Sequence, residues 1–198
     1  MLFRSRANDC RTTPWKNGGG STTEIAVAPS GAALDNFDWR ISMARVASDG
    51  PFSEFAGFDR TLSVVKGSGL ALTIGDAVPV VLDRNSEPIR FPGDRPTSAR
   101  LLAGEIIDLN VMTKRGRFEH RLQRLRAPAQ CEFDGHDIAV VVACSSDVTL
   151  TSRNNVISLA NGDAAILERV GDASFRVVSV TEADCHLVLL RECRDQAG

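Results

Sequence analysis

Alternation with a period of two limits this chain more than any other feature. In Trp39-Arg40-Ile41-Ser42-Met43 the side chains of Trp39, Ile41 and Met43 fall on one face and those of Arg40 and Ser42 on the other, as in a half-buried strand. The same reading gives strands at Thr22 to Ala28, Leu62 to Val65, Leu70 to Ile74, Ile106 to Met112, Arg117 to Gln123 and Ile138 to Ala143, among others. Turn residues separate them at Gly67-Ser68-Gly69, Gly75-Asp76, Pro92-Gly93-Asp94 and Asn161-Gly162-Asp163. Many short strands so spaced describe an all-β sandwich or barrel, with helix limited to short turns such as Phe52 to Phe58.

The length of 198 residues, 43% of them hydrophobic, suits one large domain or two packed halves. A weak internal repeat points to halves. Val64 to Leu72 and Val141 to Leu150 each run strand, small-residue turn, strand, and each leads on to a Gly-Asp pair, Gly75-Asp76 and Gly162-Asp163.

With 23 basic and 25 acidic residues the net charge is -2, so no bulk field draws nucleic acid or an anionic membrane. A small molecule held in a local pocket is the expected partner. The five cysteines include no Cys-x-x-Cys pair and read as reduced thiols. Met1 to Arg6 lacks the apolar core of a signal peptide, and no window reaches the roughly 18 apolar residues of a membrane span, which gives a cytoplasmic expectation. His120, His136 and His186 are far apart, and Cys185-His186 would point to opposite faces of a strand. No metal and no other cofactor is therefore expected.

Trp15-Lys16-Asn17-Gly18-Gly19-Gly20 combines three glycines with large recognition side chains just ahead of a strand, which suggests a site; a mobile linker is the alternative. Three polar strand faces accompany it: Thr22 with Glu24, Arg40 with Ser42, and Asp108 with Asn110 and Met112. In an open sheet these faces meet solvent. In a barrel they face the interior, where Arg40 needs a carboxylate partner, either Glu24 or an anionic ligand. Arg60, just before an apolar strand, is placed to aim its guanidinium at a carboxylate near the barrel mouth. The aromatics of Phe52 to Phe58 read as a plug at a barrel end. Lys114-Arg115-Gly116-Arg117 reads as a solvated connection between halves.

Five ordered motifs resemble the histidine-utilisation accessory family HutD and the related Ves proteins. They are Trp15-Lys16-Asn17-Gly18-Gly19-Gly20-x-Thr22-x-Glu24, Phe37-Asp38-Trp39-Arg40-Ile41-Ser42, Gly50-Pro51-Phe52-Ser53-x-Phe55-x-Gly57-x-Asp59-Arg60, Phe91-Pro92-Gly93-Asp94 and Asp108-Leu109-Asn110-Val111-Met112. The resemblance implies a bacterial, cytoplasmic bicupin with two jelly-roll β-barrels and no established catalytic activity. It also implies a role in tuning histidine breakdown by binding a pathway metabolite. The expected domains are residues 1–120, holding the pocket, and residues 121–198, structural, with terminal strands open to exchange between them.

The metabolites in question, urocanate and formylated or formimino glutamate, are small anions. Residue chemistry then assigns Arg40 and Arg60 as anchors and Asn17, Ser42 and Asn110 as uncharged polar contacts. Trp15 or Phe58 would stack on the ligand, and Gly18, Gly19, Glu24 and Met112 complete the candidate site. Two other readings stay open: a metal-independent isomerase or hydrolase with Glu24 or Asp108 as general base, and a protein-interaction module docking through its aromatic loop. A homodimer through a barrel edge is also open.

Overall fold

Strands form wherever the alternation was cleanest, and they extend further than the apolar residues alone suggest. The computed structural model describes residues 2–152, 155–171, 174–179 and 183–193. Its strands are β1 (Leu2–Ser5), β2 (Thr12–Pro14), β3 (Gly20–Ala28), β4 (Trp39–Val46), β5 (Gly50–Pro51), β6 (Phe58–Lys66), β7 (Leu70–Ile74), β8 (Val80–Leu82), β9 (Ile89–Pro92) and β10 (Thr97–Leu101). They continue with β11 (Ile106–Lys114), β12 (Phe118–Ala127), β13 (Ala129–Glu132), β14 (Ile138–Ala143), β15 (Val148–Ser152), β16 (Asn155–Leu159), β17 (Ala164–Glu168), β18 (Ser174–Ser179) and β19 (Ala183–Glu192). A 3-10 turn at Ala7–Asp9 is the helical element among the described residues, none of whose helices is long and apolar enough to cross a membrane.

The chain divides into two compact units: residues 11–116, and residues 117–198 together with residues 1–10. The first ten residues thus belong with the C-terminal half, because β1 pairs antiparallel with β17. Asp163 holds that segment in place by accepting from the Arg4 guanidinium at 2.5 Å and from the Ala7 amide at 2.9 Å. The remaining division falls within the basic stretch at residues 114–117.

Each unit is a pair of antiparallel sheets. In residues 11–116 the order is β2-β3-β4-β11-β6-β9 in one sheet and β5-β10-β7-β8 in the other. In the other unit it is β1-β17-β14-β19-β12 and β13-β18-β15-β16. The two share one topology, with β12 to β19 standing where β4 to β11 stand. The aligned segments Val64 to Leu72 and Val141 to Leu150 are the same sheet-switching corner, β6 into β7 and β14 into β15. The Gly-Asp part of that alignment does not correspond: Gly75-Asp76 precedes β8, whereas Gly162-Asp163 precedes β17, the counterpart of β9.

The interiors differ. Between the sheets of the C-terminal unit, Ala139, Val141 and Ala143 of β14 and Cys185, Leu187 and Leu189 of β19 join one closed apolar cluster with Leu150, Phe175 and Val177. In residues 11–116 the apolar packing of Val46, Leu62, Val64, Leu70, Leu72 and Leu82 occupies only part of the interior. A smaller cluster of Phe37, Phe58 and Met112 lies elsewhere in this unit.

Phe52 to Phe58 is not helical. Phe52 N donates to Thr97 O at 2.8 Å and Phe55 N to Gly93 O at 2.7 Å, while Phe58 N closes a single turn on Phe55 O at 3.3 Å. Gly57 then turns the chain with a φ of +82°.

Candidate functional site

Backbone pairing brings the three polar strand faces onto one wall. Met112 of β11 lies between Arg60 of β6 and Arg40 of β4; Asn110 lies between Leu62 and Ser42; Asp108 lies between Val64 and Ala44. Strand β3 adds Glu24 opposite Ser42 and Thr22 opposite Ala44, with a bulge between Glu24 and Ala26. The reverse face carries Ile41, Leu109 and Val111, all fully buried, and this fixes which side the polar residues must take. That side faces a cavity of about 830 Å³.

Glu24, Arg40, Ser42, Arg60, Asn110 and Met112 line the cavity, and so do Trp15 and Asn17. Gly18, Gly19 and Phe58 are not among the lining residues. Phe58 instead stacks on Phe37, with ring centroids 4.3 Å apart, and packs with Met112. The triple glycine shapes the turn that delivers Trp15. Gly18 has a φ of +72°, and a Cβ on Gly20 would meet the Arg45 carbonyl oxygen at 2.1 Å and the Trp15 ring at 3.1 Å. The indole thus lies against Gly20, and its Nε1 donates to Thr22 Oγ1 at 2.8 Å.

The two arginines are held differently. Arg40 Nε donates to Glu24 Oε2 at 2.9 Å, which supplies the carboxylate that a half-buried guanidinium requires. Arg60 lies within β6, not ahead of it, and is only 5% exposed. Its Nη1 donates to the Ser53 carbonyl oxygen at 3.0 Å. The guanidinium carbon lies 5.6, 5.5 and 5.2 Å from the ring centres of Phe52, Phe55 and Phe91, an aromatic collar with cation-π geometry. Burial lowers its pKa to about 10; nearby Asp108 opposes that shift and nearby Arg40 adds to it. Its Nε has no hydrogen-bond partner among the described residues.

Asp108 is 1% exposed. Burial pushes its carboxyl from 3.8 up to about 7, against the pull of Arg60. Its Oδ1 and the Oδ1 of Asn110 are buried with no donor among the described residues. The sequence places Asp108 on one polar strand face with Asn110 and Met112 and offers it as a candidate base, without counting it among the ligand contacts; it lines the cavity with them. Phe52 and Phe55 do more than plug an end, since they line the cavity and flank Arg60. Leu34 also lines it, from a loop that carried no readable signal.

The remaining motifs support this wall. Gly93 N donates to the Phe58 carbonyl oxygen at 2.7 Å, and Arg115 bonds both Asp59 and Asp94, so Phe91-Pro92-Gly93-Asp94 holds the aromatic loop beside β6. Among the described residues no group of three or more His, Cys, Asp or Glu side chains is placed to hold a metal ion.

The HutD family model matches residues 7–185. The chain belongs to the HutD family. An uncharacterised 21.2 kDa protein from the hutC 3' region of Pseudomonas putida is 41% identical over 146 residues, 74% of this chain and 75% of that one. Protein Ves of Citrobacter koseri is 36% identical over 119 residues, 58% of this chain and 61% of its own. HutD from Pseudomonas fluorescens SBW25, whose structure comes from a formate condition, superposes with a TM-score of 0.81 at 30% identity, covering 97% of this chain and 99% of that one. A cupin 2 conserved barrel domain protein from Leptotrichia buccalis, 10% identical, has a TM-score of 0.55 over 91% of this HutD chain and 96% of its own. The fold is accordingly all-β and of the cupin jelly-roll type, though the two sheets of each HutD unit stay separate in their hydrogen bonding.

Proposed function

We propose that this HutD protein is a non-catalytic accessory of bacterial histidine utilisation, which binds a small carboxylate intermediate of the pathway in the cavity of residues 11–116. Urocanate, formylglutamate and formiminoglutamate are the candidates. Occupancy of the site would report metabolite level and so tune flux. The observation that carries this reading is Arg60: a guanidinium almost sealed from water, steadied by one carbonyl and three rings, with Nε left unpaired. A buried cation is costly unless an anion completes it, and a planar fork suits a carboxylate. Arg40, already paired with Glu24, supports the positive field; the exposed Arg11 and Lys16 also line the cavity.

Isothermal titration of urocanate, formylglutamate, formiminoglutamate and histidine tests the reading, with Arg60→Ala as control. Saturable binding that weakens by roughly 2 to 5 kcal/mol in the variant supports an anion site. Unchanged affinity removes Arg60 from it.

One observation favours a second reading, that of a metal-independent enzyme. A carboxyl titrating at about 7 inside a cavity has the pKa that a general base needs. Product formation from any of these acids by stoichiometric protein, lost in Asp108→Asn but kept in Glu24→Gln, would replace the accessory role with catalysis.

A further inference from the structure

The atoms of this wall that lack partners specify more than an anion. Asp108 and Asn110 are two residues apart on β11, so their side chains share a face about 7 Å apart along the strand. Each presents a buried oxygen with no donor among the described residues. The neighbours across the strands offer little: Val64 and Ala44 flank Asp108, while Leu62 and Ser42 flank Asn110. Arg40 Nε is spent on Glu24 and Arg60 Nη1 on Ser53, and the unpaired Arg60 Nε does not reach either oxygen. A ligand that only accepts hydrogen bonds would satisfy Arg60 Nε and leave both oxygens unmet, with its own negative charge added close to Asp108.

We propose that the cavity selects a nitrogen-bearing acid: its N–H end, an amide, amidine or imidazole, donates to the Asp108 and Asn110 oxygens while its carboxylate meets Arg60. This rests on the reading of the cavity as an anion site and narrows the ligand class. Plain mono- and dicarboxylates, having nothing to donate, are discriminated against. The principle is that a site built to bond an N–H rejects an analogue without one, because the site's own buried acceptors are then stranded.

The test uses ligand pairs that differ at the donor. Urocanate is compared with 3-(2-furyl)acrylate, which keeps the acrylate and a five-membered aromatic ring but has no N–H. N-formylglutamate is compared with 2-(formyloxy)glutarate, in which an ester oxygen replaces the N–H. Titration into wild-type protein should show the N–H member of at least one pair binding roughly tenfold or more tighter. That ratio should collapse toward parity in Asp108→Leu and in Asn110→Leu, each a near-isosteric loss of the acceptor, with affinity for the furan or ester analogue retained. Equal affinities within both pairs in wild-type protein, with binding still lost in Arg60→Ala, would overturn the donor proposal and leave the anion site standing. No binding of any of the four would overturn both.

Discussion

Asp108 offers the sharpest test because its cost can be worked out. The carboxyl is 1% exposed, lies between Val64 and Ala44, and is moved by burial from 3.8 to about 7. Keeping it ionised in the native state therefore costs about 4 kcal/mol. The unfolded chain releases this proton near pH 4 and the native chain near pH 7, so between those values the native state binds more protons. Stability consequently falls as pH rises from about 4 to about 7, and the whole cost is present above that. Asp108→Asn removes the titration and adds a buried amide of its own, worth about 1 to 3 kcal/mol of unmet hydrogen bonding. The net gain at pH 8 is then about 2 kcal/mol, or about 4 to 8 °C in the melting temperature of a chain this size. Thermal melts of both proteins between pH 5 and pH 8 should show the variant melting higher at pH 8 and the gap narrowing as pH falls. A variant that melts no higher at pH 8, or a gap that ignores pH, would mean that the carboxylate is already satisfied in the empty cavity.

Arg60→Met keeps an apolar stem among Phe52, Phe55 and Phe91, so the protein should stay folded by near-ultraviolet circular dichroism while carboxylate binding falls at least roughly 30-fold. Gly20→Ala drives a Cβ into the Arg45 carbonyl oxygen and the Trp15 ring; urea melts should show a loss of about 2 kcal/mol or more, with altered tryptophan fluorescence. Asp163→Ala removes the acceptor for both Arg4 and the Ala7 amide, so the backbone amides of β1 should lose hydrogen-exchange protection ahead of those of β14.

The sequence made the central strands legible because their buried reverse faces force alternation, as Ile41, Leu109 and Val111 show. The sequence pattern starts strand β6 four residues late and ends it one early. Its start, Phe58-Asp59-Arg60-Thr61, puts a charged residue inward at Arg60, and a hydropathy pattern treats an inward charge as a loop. The edge strand β9 and the inner strand β10 are short and interrupted by polar residues, and β1 takes its meaning from a partner more than 150 residues away, which no local pattern encodes. The polar wall was legible as three one-sided strands. That Arg40 meets Glu24 while Arg60 meets only a carbonyl and rings depends on register and on the bulge after Glu24, and composition carries neither. Within the glycine triplet, Gly20 makes room for an indole, a steric role that the run of glycines does not itself announce.

The two units repeat one strand order around opposite interiors, one closed by Ala, Val and Leu, the other hollow and polar. Side-chain positions in the hollow unit are set first by backbone pairing of β3, β4, β6 and β11, with the firm reverse face behind them, and the Arg40–Glu24 pair then ties two of the polar groups together. Its chemistry can therefore be rewritten one rung at a time. Under the proposed binding role, replacing the residues at 24, 42, 60, 108 or 110 would alter what the cavity accepts without asking the sheets to find a new register, so a lineage built on this scaffold would change its ligand by a few point substitutions while its architecture stays still.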